Sequence, residues 1–146
     1  MKKILFSAIV VLLFVTAFYY LGHPLQSTVT IRGTRFFVDV AITPKEKELG
    51  LGKRLSLPAD HGMLFPYDHK ETYSFWMKDM HFPIDILWLD DKEIVDITKN
   101  VPAPSTPGEK LPIYKPRIPV NTVLELPAGT ADRLGIIVRD KIEINK

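Results

Sequence analysis

From Thr28 to Asn145 apolar and polar residues alternate in short runs that turn residues keep interrupting, a spacing that leaves few folds open. "TVTIRGTRFFVDVAIT" reads as a hairpin in which Val29 and Ile31 alternate with polar neighbours. Gly33 and Thr34 supply its turn, and Phe36, Val38 and Val40 share one face. "HGMLFPYD", "YSFWM", "IDILWLD", "EIVDITK", "VNTVLELP" and "DKIEIN" predict further strands. They are joined by turns at Lys78–Pro83, Asp91-Lys92 and Pro127–Gly129. Pro66 suggests a sheet edge or a bulge. Helical signals are brief. Thr43 and Glu46 form a capping box with Pro44 at the first helical position, but Gly50 and Gly52 end the helix. A second helical turn runs Thr130–Leu134. Short strands with so little helix predict a mainly β fold, an antiparallel β sandwich or partly open barrel with one or two short helices.

A hydrophobic helix is expected in front of that domain. "ILFSAIVVLLFVTAFYYLG", Ile4 to Gly22, holds no charge. At 1.5 Å per residue it nearly crosses a hydrocarbon core of about 30 Å. Lys2 and Lys3 would hold that end in the cytoplasm, and Phe18, Tyr19 and Tyr20 suit the far interface. Val15-Thr16-Ala17 also resembles a signal-peptide cleavage site. The length and the aromatic flank favour an uncleaved anchor. The expected organisation is a signal anchor or signal peptide over 1–22, a spacer over 23–27 and a single β domain over 28–146. The body then lies outside the cytoplasm, periplasmic or extracellular, membrane-anchored through residues 4–22 or secreted if the segment is cleaved.

The net charge of +2 comes from Lys2 and Lys3, leaving 17 basic and 17 acidic residues beyond Gly22. A neutral body without a basic run has little to hold a phosphate backbone, so no nucleic-acid partner is expected. The absence of cysteine excludes disulfides, thiolate chemistry and Cys-based zinc sites. There is no Gly-rich phosphate loop, no G-x-S-x-G and no H-E-x-x-H, and no cofactor is expected.

Four residues resist explanation as packing alone. In "SFWMKDMHFPIDILWLD", Ile84, Ile86 and Trp88 share one strand face while Asp85, Leu87 and Leu89 share the other. Either way Asp85 lies beside bulky apolar groups, where a carboxylate needs a partner or takes up a proton. Backbone N–H groups of the Lys78–Pro83 turn could supply one. Glu125 repeats the theme in "VLELPAG", alternating with Leu124 and Leu126. Two such carboxylates could act as an acid/base pair of the glycosidase kind. Arg54, in "GLGKRLSL", is a natural counter-ion for either, and structural ion pairing is the plainer reading. Trp76 belongs to an aromatic set, with Phe65, Tyr67, Tyr73, Phe75, Phe82 and Trp88, that is chiefly core. One or two exposed rings would make a platform for a sugar or a peptide. Met77, Met80 and His81 could bind Cu(I), but only if a bend at Lys78–Asp79 brings the thioethers together, and methionine is also a common core filler. The stretch Asn100–Pro119 carries six of the twelve prolines and reads as a stiff, extended loop.

"GLGKRLSL", "GMLFPY", "SFWMKDMHFPIDILWLD" and "VLELPAGTADRLGI" in this order resemble domain-of-unknown-function family 192, also known as uncharacterised protein family 0127. The resemblance covers about Thr28 to Ile144. Its pattern falls on Arg54, Gly62, Met63, Phe65, Trp76, Met77, Pro83, Asp85, Glu125 and Gly129. The chain departs from it at Gly52, Asp79-Met80 and Arg139, so a metal site using Met80 and His81 would be private to this protein. The resemblance implies a small β sandwich, often exported or membrane-attached, and no agreed activity. With no nucleophile setting in view, the expectation is a membrane-tethered extracytoplasmic binding domain and not an enzyme. Arg54, Trp76, Asp85 and Glu125 would bind a small molecule, glycan or protein, with the Asn100–Pro119 loop as a rim. The alternatives are a cell-envelope glycan hydrolase using the paired carboxylates, soft-metal Cu(I) binding, and a scaffold partner of a membrane protein that docks through the proline-rich loop.

Overall fold

The computed structural model describes residues 27–106 and 108–145. The expected anchor over Ile4–Gly22, and most of the spacer behind it, lie outside the described residues. Among the described residues no helix is long and apolar enough to cross a membrane.

The strands are β1 (Thr28–Ile31), β2 (Thr34–Val40), β3 (His61–Glu71), β4 (Ile84–Asp90), β5 (Glu93–Val101), β6 (Val120–Pro127) and β7 (Ile142–Asn145). Two short helices join them, α1 (Pro44–Leu49) and α2 (Thr130–Leu134). All seven strands belong to one sheet in the order β5-β4-β6-β3-β2-β1-β7. Lys141, just ahead of β7, bridges back to Glu93 at the start of β5. The amides of Ile94, Arg139 and Ile142 donate across the same seam. The sheet therefore curls into a half-barrel. This is the partly open barrel of the two expected architectures, and the sandwich does not form because all strands among the described residues belong to the one sheet.

The hairpin β1–β2 pairs Ile31 with Thr34 across a two-residue turn. Arg32 (φ 49°) and Gly33 (φ 78°) both take positive φ, as a turn twisted like its flanking strands requires. The turn is thus one residue earlier than Gly33-Thr34. Strand β2 then runs parallel to β3, the one exception to antiparallel pairing in the sheet, and α1 lies in the connection between them. Thr43 accepts from the Glu46 amide while the Glu46 carboxylate accepts from the Thr43 amide, so the capping box is complete. Pro66 marks a register shift in β3 against β6. "YSFWM" is not a strand: only Phe75 pairs, with Tyr114 of the long loop.

Each face of the sheet carries a core. One gathers Val29, Phe36, Leu64, Leu87, Leu124 and Leu126 beneath α2, whose Ala131 joins it. The other gathers Met63, Phe65, Phe75, Ile86, Trp88 and Val123 beneath the connections that follow α1 and precede β4. Side-chain alternation settles which carboxylate goes where. Asp85 pairs with Leu126 and faces the first core, and Glu125 pairs with Met63 and Ile86 and faces the second.

Candidate functional site

Asp85 has no solvent exposure, and both of its oxygens are occupied. Oδ1 accepts from the Asn100 amide at 2.8 Å and Oδ2 from the Ala131 amide at 2.8 Å. The donors are not those of the Lys78–Pro83 turn. Asn100 sits at φ 53°, which aims its N–H inward from β5. Ala131 is in the first turn of α2, whose N-cap is Gly129 and so lacks a side chain to cap it. Asp85 provides that missing acceptor from another strand. Its role is to pin β4, β5 and α2 together.

Glu125 is in the opposite condition. It is 5% exposed, and its Oε2 has no hydrogen-bond partner. The Asp90 Oδ1 shares that description, but the Lys70 ammonium lies 2.5 Å from it. Among the described residues no cation forms an ion pair with Glu125. Arg54 instead donates to Asp39 at 2.7 Å, and its charge reaches Glu125 only through space. Burial pushes the Glu125 carboxyl up to about 8, with the Arg54 charge pulling weakly the other way.

A cleft of about 240 Å³ lies between α1, β3 and the segment leading to the Lys78–Pro83 turn. Gly50 and Phe65 form part of its wall. A Cβ at residue 50 would stand 4.0 Å from Glu125 Oε2 and 3.5 Å from the Phe65 ring. Gly50 adopts φ 52°, ψ −134°, a conformation open to glycine and little else. Its bare α-carbon keeps the covering over the carboxyl thin. Sequence reasoning took Gly50 only as a helix stop, and no local signal marks its second role.

Aromatic rings and lysines build the remaining walls. Trp76 is 45% exposed, and the Lys78 ammonium lies 5.4 Å from its ring centroid. Tyr67 stacks on Tyr73 at 3.6 Å and carries the Lys47 ammonium at 4.1 Å. Lys47 also donates to the Pro66 carbonyl at 2.5 Å. Burial first, then Tyr73 and Glu125, push the Tyr67 hydroxyl up to about 12. Phe75 meets both Phe65 and Trp88 edge to face and closes the inner end.

A second hollow of about 520 Å³ adjoins this cleft through Lys78 and Met80. Its far side is Pro104, Ser105, Thr106 and Glu109 of the long loop. That loop is held at two places: Phe75 and Tyr114 exchange amide bonds, and Arg117 grips Asp96 through its amide and guanidinium. Burial works against ionisation of Asp96, yet the Arg117 and Ile97 hydrogen bonds outweigh it and leave its carboxyl below the ordinary range.

Of the four expected site residues, Trp76 lines the cleft, Glu125 lies behind its Gly50 and Phe65 wall, Arg54 is bonded to Asp39, and Asp85 lies across the sheet. The two carboxylates therefore share no cleft and form no acid/base pair. Asp79 at φ 58° does supply the bend that brings Met77 and Met80 together. Both thioethers are buried in the second core, whereas His81 is exposed.

A family model described as "Uncharacterized ACR, COG1430", DUF192, matches residues 27–144. Two solved structures resemble the chain over most of both lengths. A provisionally described transcription regulator from Sinorhizobium meliloti 1021 is 33% identical with a TM-score of 0.69, covering 81% of this chain and 91% of its own. A protein of unknown function from Novosphingobium aromaticivorans DSM 12444 is 31% identical with a TM-score of 0.70, covering 83% and 89%. Among curated proteins nothing matches.

Proposed function

Because this chain belongs to the DUF192 family, whose description assigns no activity, we propose a function from the cleft itself: a membrane-tethered extracytoplasmic domain that binds a small ligand over Glu125. The observation that carries this reading is the Glu125 Oε2, buried, without a partner and beneath a glycine that lines an open cleft. A carboxyl in an apolar core without a hydrogen bond is disfavoured by about 1–3 kcal/mol, and a nearly isosteric leucine or methionine would avoid that penalty. A ligand group of suitable charge in the cleft acts on that oxygen across the thin Gly50 cover. Trp76 offers contact area, Arg54 tunes the field at Glu125, and Asp85 holds the frame from the other face. The tether rests on the uncharged run Ile4–Gly22 behind Lys2 and Lys3.

Two measurements test this. Full-length protein in intact cells should be cut by added protease only once any outer barrier is opened, and should stay with membranes through alkaline washing. Resistance to protease added outside the inner membrane contradicts the location. Detergent-solubilised full chain should change its tryptophan emission on binding a monosaccharide, through Trp76, and Trp76→Ala should abolish the change. Undiminished ligand binding in Trp76→Ala places the ligand elsewhere.

A further inference from the structure

The cleft also narrows the chemistry of its ligand. Its volume of about 240 Å³ is below the roughly 300–1,000 Å³ of pockets for drug-sized molecules, so it suits a single ring. The half-exposed Trp76 face supplies a flat apolar wall of the kind that takes the C–H face of a sugar.

Charge then separates the classes of sugar. Around the cleft and the depression beside it stand Lys45, Lys47, Lys53 and Lys78 against Glu48 and Asp79. Beyond Gly22 the chain as a whole is balanced, 17 basic against 17 acidic, so this is a local excess of positive charge. Ammonium groups already sit over the Tyr67 and Trp76 rings, where a cationic ligand would have to displace like charge. Behind the Gly50 cover a protonated Glu125 is neutral, and an ionised one would repel an anion in the cleft.

Resting on the binding reading above, we propose that the cleft takes one acidic sugar ring, a hexuronate. Trp76 lies under the ring, Lys47 and Lys78 meet the carboxylate, and the Glu125 carboxyl, behind Gly50, stays neutral while the anion is bound. The groups facing Glu125 decide how binding responds to pH. Strands β3 and β4 present Met63 and Ile86 opposite it, neither of which titrates. Arg54, in the connection after α1, acts on it through space, and Tyr67 of β3 feels its charge. Asp39 of β2 lies in its row bonded to Arg54, and Lys47, Glu48 and Lys78 line the cleft beyond Gly50. Burial pushes the Tyr67 hydroxyl up to about 12 and the Glu125 carboxyl up to about 8, so of these two it is Glu125 whose charge changes between pH 6.5 and pH 9.

The test titrates full chain in detergent with D-glucuronate, D-glucose and D-glucosamine at pH 6.5 and pH 9. Trp76 emission and amide NMR shifts report binding, and a thermal melt shows that each variant is folded. At pH 6.5 glucuronate should bind about ten-fold tighter than either other sugar, the scale of one charge-assisted contact. Wild type should lose about ten-fold for glucuronate at pH 9, while Glu125→Gln keeps one affinity at both pH values. Lys78→Ala should weaken glucuronate more than it weakens glucose, because only the glucuronate carboxylate uses its charge. Glucose or glucosamine binding as tightly as glucuronate overturns the acidic class and leaves the binding cleft standing. A pH response equal in wild type and Glu125→Gln overturns the role of Glu125. If none of the three sugars binds, the hexuronate proposal falls, and undiminished binding of some other ligand by Trp76→Ala removes the cleft as well.

Discussion

At the scale of single residues, two carboxylates set in equally apolar strands meet opposite conditions. Asp85 has an amide on each oxygen, so Asp85→Ala strands two buried donors and should destabilise the domain by about 4 kcal/mol, read from urea unfolding. Glu125 has an oxygen without a donor, and its folded-state pKa lies above the ordinary value of 4.5. The folded protein therefore keeps a proton that the unfolded chain gives up between about 4.5 and 8. Stability is undiminished below that window and falls as pH rises through it, by on the order of 5 kcal/mol in full. Glu125→Gln has no proton to lose, so its melting temperature should stay level from pH 5 to 9 while that of wild type declines. A parallel decline in both would contradict this. Alternation in "IDILWLD" and "VLELP" shows which neighbours share a face with each carboxylate, but not that the two point to opposite faces of the sheet. What each meets there was not legible either, because the donors to Asp85 come from 15 and 46 residues away.

At the scale of elements, local signals held where local chemistry decides the outcome. The α1 capping box uses only Thr43 and Glu46, and Thr43→Ala should cost about 1 kcal/mol by thermal unfolding. "YSFWM" has strand composition but no strand neighbour beyond Tyr114, so its propensity finds a single bridge and no ladder. Gly50 ends α1 and also thins the cover over Glu125. Gly50→Ala forces a side chain into a glycine conformation and should destabilise by about 1–3 kcal/mol in urea unfolding. The position of the proline-rich loop depends on Arg117 reaching Asp96, a pairing across 21 residues that composition does not reveal.

At the scale of the whole molecule, closure was the undecided question. Turn spacing alone suits a sandwich as well as a curled sheet. The choice falls to the seam between Glu93 and Lys141, and to the parallel register of β2 on β3. That register sets Asp39, Met63, Glu125 and Ile86 in one row across four strands, with Arg54 on Asp39 at the end of it. The candidate site is thus assembled by the sheet, while the window over it belongs to the connections that follow α1 and precede β4. Everything proposed for the site depends on Glu125 lacking a partner inside the protein. The direct measurement is a carbon-13 titration of the Glu125 side-chain carboxyl by NMR in the full chain, assigned with Glu125→Gln. A midpoint near 8 is expected, moving downward on Gly50→Ser if a hydroxyl there reaches Oε2. A midpoint near the ordinary 4.5 would show that the carboxyl is already satisfied by the protein or by water, and would leave the cleft without its anchor.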